Sequence, residues 1–78
     1  MLNLKKRHNV VVNSDRGLIV LLEELNELNI AKDLKVKKLC EDDTEKWMIF
    51  FNANCDEWAN LKASVKHCPK FNGMVESM

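Results

Sequence analysis

Much of what this chain can be is bounded by what it lacks. Its 78 residues include two glycines, one proline and no tyrosine. Gly and Pro this sparse exclude collagen-like, linker-dominated and low-complexity chains. They also leave no Gly-rich phosphate loop, and neither a GXXG clamp nor an RNP-type aromatic motif is present. Long apolar runs are missing too. The longest, Gly17–Leu22, falls far short of the ~20 residues that span a bilayer. The early run Val10–Val12 is cut off at once by Asn13, Ser14, Asp15 and Arg16, so the N-terminus does not read as a secretory signal. The three cysteines, Cys40, Cys55 and Cys68, are odd in number and widely spaced, which argues against a disulfide framework and for a reducing compartment. Net charge is absent as well: 12 basic and 12 acidic residues sum to zero, without the overall positive charge of a dedicated nucleic-acid or membrane-surface binder. The expectation is a soluble, cytoplasmic protein with no membrane association.

What remains is the composition of a globular domain, 46% apolar and 31% charged. A chain this short buries only roughly 60–65% of its unfolded surface, so it has one core and little structure to spare for a water-free active site. Residues 1–70 are expected to form a single domain, and 71–78 a tail or a short edge strand. The lysine excess over arginine and the nine asparagines suit an AT-rich coding sequence, as in many phages and low-GC bacteria.

Leu4–Asn13 reads as a strand around the β-branched run Val10–Val12. Ser14 is placed to cap a helix whose first turn carries Asp15. In that helix Leu18, Leu21, Leu22, Leu25 and Leu28 recur at i, i+3, i+4, i+7 and i+10, an apolar stripe on one side. Asn29 is a left-handed stop, with Ile30 folding back. Leu34–Cys40 begins with the alternation of a half-exposed strand, and Glu41–Glu45 reads as a hairpin loop. Lys46–Phe51 is apolar from Trp47 onward, the pattern of a central strand covered on both faces or along both edges. Asn54 and Glu57 have capping-box spacing, and a second helix follows with a seam of Cys55, Trp58, Leu61, Val65 and Cys68, ended by Pro69. The expected fold is α+β, a β-α-β-β-α(β) split β-α-β sandwich. Two helices lie on one face of a three-stranded mixed sheet of order 1-3-2, with strands 1 and 2 parallel, and residues 71–78 can add a short fourth strand. This arrangement is similar to a ferredoxin-like domain whose last strand is weak or absent, an architecture shared by many unrelated functions.

Five constellations could carry chemistry. Cys40, Cys55, Cys68 and His67 have the donor set of tetrahedral zinc without the close pairing such sites use, and Cys55 and Cys68 fall on the apolar seam, so they read as core cysteines and no metal is expected. A reactive Cys55 would sit at a helix start but beside Asp56 and Glu57, which oppose a thiolate, and consecutive residues His67 and Cys68 diverge around a helix. His8 reads as structural. The acidic stretch Glu41, Asp42, Asp43 and Glu45 lacks the calcium-loop pattern. Two basic runs, Lys5-Lys6-Arg7 and Lys35-Lys37-Lys38, fall at corresponding ends of strands 1 and 2, where they can meet as a cationic cluster or protect an edge from strand addition. Finally, Met48 and Phe50 alternate with Trp47, Ile49 and Phe51, so they lie on the sheet face away from the helices, covered either by the tail around 71–75 or by another molecule.

No nucleophile, base and orienting group are spaced to meet, so no enzyme and no cofactor are expected. The favoured reading is a small protein-binding module acting as inhibitor, adaptor or accessory factor, or forming a homodimer. It would work through Met48 and Phe50 or the charged edge of Lys5, Lys6, Arg7, Lys35, Lys37 and Lys38. The alternative is a nucleic-acid-binding regulator using the six cations.

Overall fold

The computed structural model describes residues 4–41, 44–71 and 73–78. Strand β1 is Lys6–Val12, and Ser14 ends it and starts helix α1, Asp15–Glu27. The Ser14 backbone is extended and its hydroxyl accepts from the Gly17 N–H at 3.0 Å. Gly17 lies where the helix presses onto β1 and the C-terminal segment: a Cβ there would meet Val12, Ser14 and Met74 at 3.2 Å. The helix ends in a Schellman arrangement. Asn29 takes φ 60°, its N–H donates to Asn26 and the Ile30 N–H to Leu25, which carries Ile30 back into the core.

Strands β2 (Lys35–Glu41) and β3 (Thr44–Ala53) pair antiparallel, and helix α2 (Cys55–His67) starts from the reciprocal Asn54–Glu57 capping box. A 3-10 turn at Pro69–Phe71 leads to β4, Val75–Ser77. The acidic stretch is thus less of a loop than expected: Glu41, Thr44 and Glu45 belong to the strands, and Asp42 and Asp43 lie outside the described residues.

The class is α+β: the described residues form two α-helices and a four-stranded sheet of order β2-β3-β1-β4. The sheet is not mixed, because every neighbouring pair is antiparallel. Strands β1 and β2 do run in the same direction, but β3 lies between them and they never pair. Residues 71–78 also differ from a tail folded over Met48 and Phe50. Phe71 is buried in the core beside α1, and Val75 and Ser77 extend the sheet beyond β1.

Alternation decides which side of the sheet is covered. Val10 and Val12 of β1 and Ile49, Phe51 and Ala53 of β3 are buried with Leu21 and Leu25 of α1, Leu61 of α2, Ile30 and Phe71. Both helices therefore bury their apolar stripes on this one face. Of the five leucines on the α1 stripe, Leu21 and Leu25 are fully buried and Leu18, Leu22 and Leu28 pack at the margins, while Ile19 is 57% exposed.

Candidate functional site

Among the described residues, no helix lies over the other face of the sheet. Its residues follow from register: Arg7, Asn9 and Val11 on β1, Lys46, Met48, Phe50 and Asn52 on β3, and Lys35, Lys37 and Leu39 on β2. Met48 lies between Lys37 and Val11, Phe50 between Lys35 and Asn9, and Asn52 beside Arg7. Val11, Leu39, Met48 and Phe50 are half-buried, and Arg7, Asn9, Lys35 and Lys37 are exposed. The surface thus has Met48 and Phe50 at its centre with Val11 and Leu39 diagonally beside them, and Arg7, Lys35 and Lys37 on the flanking strands.

The two basic runs do not meet as one cluster. Consecutive strand residues point to opposite faces, so each run is divided. Arg7, Lys35 and Lys37 reach the open face, whereas Lys6 shares the helical face with Ala53 and Lys38 shares it with Trp47. Lys38 also lies 3.5 Å from Glu45, with its ammonium 5.5 Å from the Trp47 ring centroid. Lys5 lies 3.7 Å from Glu57 of α2. Of the six cations, three share a surface with Met48 and Phe50.

Arg7 is anchored. Its Nη1 donates to the Asp33 carbonyl at 2.7 Å and to Asn52 Oδ1 at 3.3 Å, and its guanidinium carbon lies 5.9 Å from the Phe50 ring centroid. Asn52 in turn donates to the Asp33 carboxylate at 3.4 Å, closing a polar corner at one end of the face. At the other end Lys46 pairs with Glu76 of β4 at 2.6 Å. Between these ends Lys35 and Lys37 make no ion pair or side-chain hydrogen bond among the described residues. Asn9, Val11, Leu39 and Asn52 are members of this surface that the sequence reading did not single out. Val11 was hidden inside the run Val10–Val12, whose members look alike until the alternation has a fixed phase.

The remaining candidates are dispersed. Cys40 lies on β2, Cys55 at the start of α2 and Cys68 past its end, and among the described residues no three His, Cys, Asp or Glu side chains gather in a metal-holding group. Cys55 is exposed, which corrects its expected place in the core; Cys68 is half-buried against it. The α2 seam turns inward only from Trp58 onward, because the first turn is held at the surface by the capping box. His8 stacks on Trp58, with ring centroids 4.2 Å apart and planes 10° from parallel, and Trp58 also meets Phe51 at 5.8 Å. His67 and Cys68 border an open cleft of about 320 Å³ beside Phe71 and Val75. A second cleft of about 360 Å³ is lined by Lys5, Asn26, Asn29, Ala31 and Lys32. Among the described residues no helix is long and apolar enough to cross a membrane.

The class reached by fold and surface is a small two-layer α+β domain with one covered and one open sheet face. No protein-family model matches the chain, and no curated protein or solved structure is significantly similar to it.

Proposed function

We propose that the chain is a non-enzymatic protein-binding module that works through the open face of its sheet, as an inhibitor, adaptor or accessory factor. The observation that carries this reading is the row Val11, Leu39, Met48 and Phe50 on a sheet face with no helix over it, bordered by Arg7, Lys35 and Lys37. An apolar centre with a charged rim, containing Phe, Met and Arg, has the anatomy of a protein interface. Half-burial of each residue suits a protein that stays monodisperse until its partner arrives. The split β-α-β arrangement itself hosts many activities and adds no weight to any of them.

A second reading, nucleic-acid binding, draws on the same three cations. It has one aromatic, Phe50, on which a base could stack.

The test is a tagged pull-down from lysate, with and without nuclease, using the wild type and a Lys35→Glu/Lys37→Glu variant. A protein retained at fixed ratio after nuclease and lost with the variant supports the module. Recovery of nucleic acid alone, with nothing left after nuclease, replaces it with the second reading.

A further inference from the structure

From the shape and charge of the open face we infer that its partner presents an acidic amphipathic helix, seated along β3 with its apolar stripe on Val11, Leu39, Met48 and Phe50. This rests on the reading of that face as the binding surface.

Width is the first argument. The apolar row is drawn from three adjacent strands, β2, β3 and β1, spaced ~4.8 Å apart, so it is about 10 Å across, close to the ~10–12 Å diameter of a helix with its side chains. An extended peptide recognises a sheet through its edge, where main-chain groups are unpaired, whereas β3 is hydrogen-bonded on both sides.

Charge is the second. Arg7 stands on the β1 margin and Lys35 and Lys37 on the β2 margin, so a helix lying between them meets a cation on either flank. No acidic residue occupies a position on this face along 7–11, 35–39 or 46–52. Among the described residues, acidic residues stand only toward the ends of the face: Glu41 at the end of β2, two positions past Leu39, and Asp33 and Glu76, which are engaged with Asn52 and Lys46. Asp or Glu beside the apolar stripe of the incoming helix would answer both flanks.

The same features weigh against other occupants. Two copies packed face to face about a two-fold axis would set Arg7, Lys35 and Lys37 against one another. A single strand of nucleic acid needs a platform of aromatic rings. Here only Phe50 has one, Arg7 is already beside it, and Val11, Leu39 and Met48 offer no ring.

The experiment selects from a displayed library of helical peptides with Asp, Glu, Lys and apolar residues at the varied positions, against the full chain and against Lys35→Glu/Lys37→Glu. Amide NMR shifts locate the selected peptides, and Lys35→Gln/Lys37→Gln serves as a second variant should the reversal disturb folding. The expected result is enrichment of peptides with apolar residues at i, i+3 or i+4 and i+7 flanked by Asp and Glu. They should shift Val11, Leu39, Met48 and Phe50 and bind the reversed variant about tenfold more weakly, the size of effect that two exposed ion pairs carry. Basic or neutral peptides that shift the same amides would overturn the acidic helix but leave the binding face standing. So would shifts of those amides by oligothymidylate, or by raising the concentration of the chain alone. If nothing is enriched, or every selected peptide maps to α1 and α2, the face falls with the helix.

Discussion

Strand β3 carries two surfaces that began as one apolar run. Ile49 and Phe51 are completely buried beneath the helices, whereas Met48 and Phe50, their immediate neighbours, are half-buried on the bare side. Two phenylalanines next to each other thus do different work, Phe51 holding the helices to the sheet and Phe50 offering its ring to whatever lies outside. Hydrophobicity alone does not distinguish them; the presence of a covering layer does. The largest expected effect tests this directly. Phe51→Ala should cost about 3–5 kcal/mol, as large-to-small changes in a closed core do, while Phe50→Ala should cost about 1 kcal/mol or less in the free protein. Urea midpoints of the two variants check it, and equal losses would mean that the two faces are equally packed.

The next effect moves from the sheet to the helix over it. Trp58 is half-buried, stacked on His8 and touching Phe51, with the Lys62 ammonium 5.6 Å from its ring. Trp58→Ala should therefore cost about 3 kcal/mol, the lower end of the range for buried aromatics, and a loss below about 1 would show that α2 does not depend on this contact. Smaller again is the cap of the same helix. Asn54→Ala removes the acceptor of the 2.8 Å bond from the Glu57 N–H and should cost about 1 kcal/mol, read from the same unfolding curves. Both changes act on the covered side and should leave peptide binding at Phe50 unaltered in the folded fraction.

The sequence made the covered side far more legible than the bare one. Ser14, Asn29 and the Asn54–Glu57 box announced both helices because capping is local: the residues that do it are within a few positions of each other. The leucine stripe announced what α1 buries for the same reason. Strand pairing is not local. That β1 and β3 pair antiparallel, and that Val75 lies beside Val12, depends on partners far apart in the chain; the expectation of a short fourth strand in 71–78 rests on a pattern too short to say which strand it would join. The open face was half legible. Met48 and Phe50 followed from alternation within one strand, but sorting the six cations required the phase of β1 and β2 as well, and each run divided at a point where adjacent lysines or Lys6 and Arg7 look alike in sequence.

Charge gives the comparison its subtlest form. On the helical side Glu24 of α1 is buried, its side chain 8% exposed, and accepts from the Lys70 ammonium at 2.7 Å; on the bare side Lys35 and Lys37 make no such pairs among the described residues. The hydrogen bond to Glu24 raises the pKa of Lys70 above its ordinary value of 10.5, against a smaller lowering by burial. Because the folded value is the higher one, the pair's contribution to stability is fully present below 10.5 and is lost as pH rises through the folded pKa. Lys70→Met should therefore lower the urea midpoint at neutral pH, and the gap from wild type should close as the solution is taken well above pH 10.5. Lys35→Met, tested in parallel, should leave the midpoint nearly unchanged across that range, since no ion pair or side-chain hydrogen bond among the described residues depends on that ammonium. A gap for Lys70→Met that stayed constant with pH would assign Lys70 a packing role over Phe71, whose ring centroid is 5.4 Å from its nitrogen, in place of an electrostatic one.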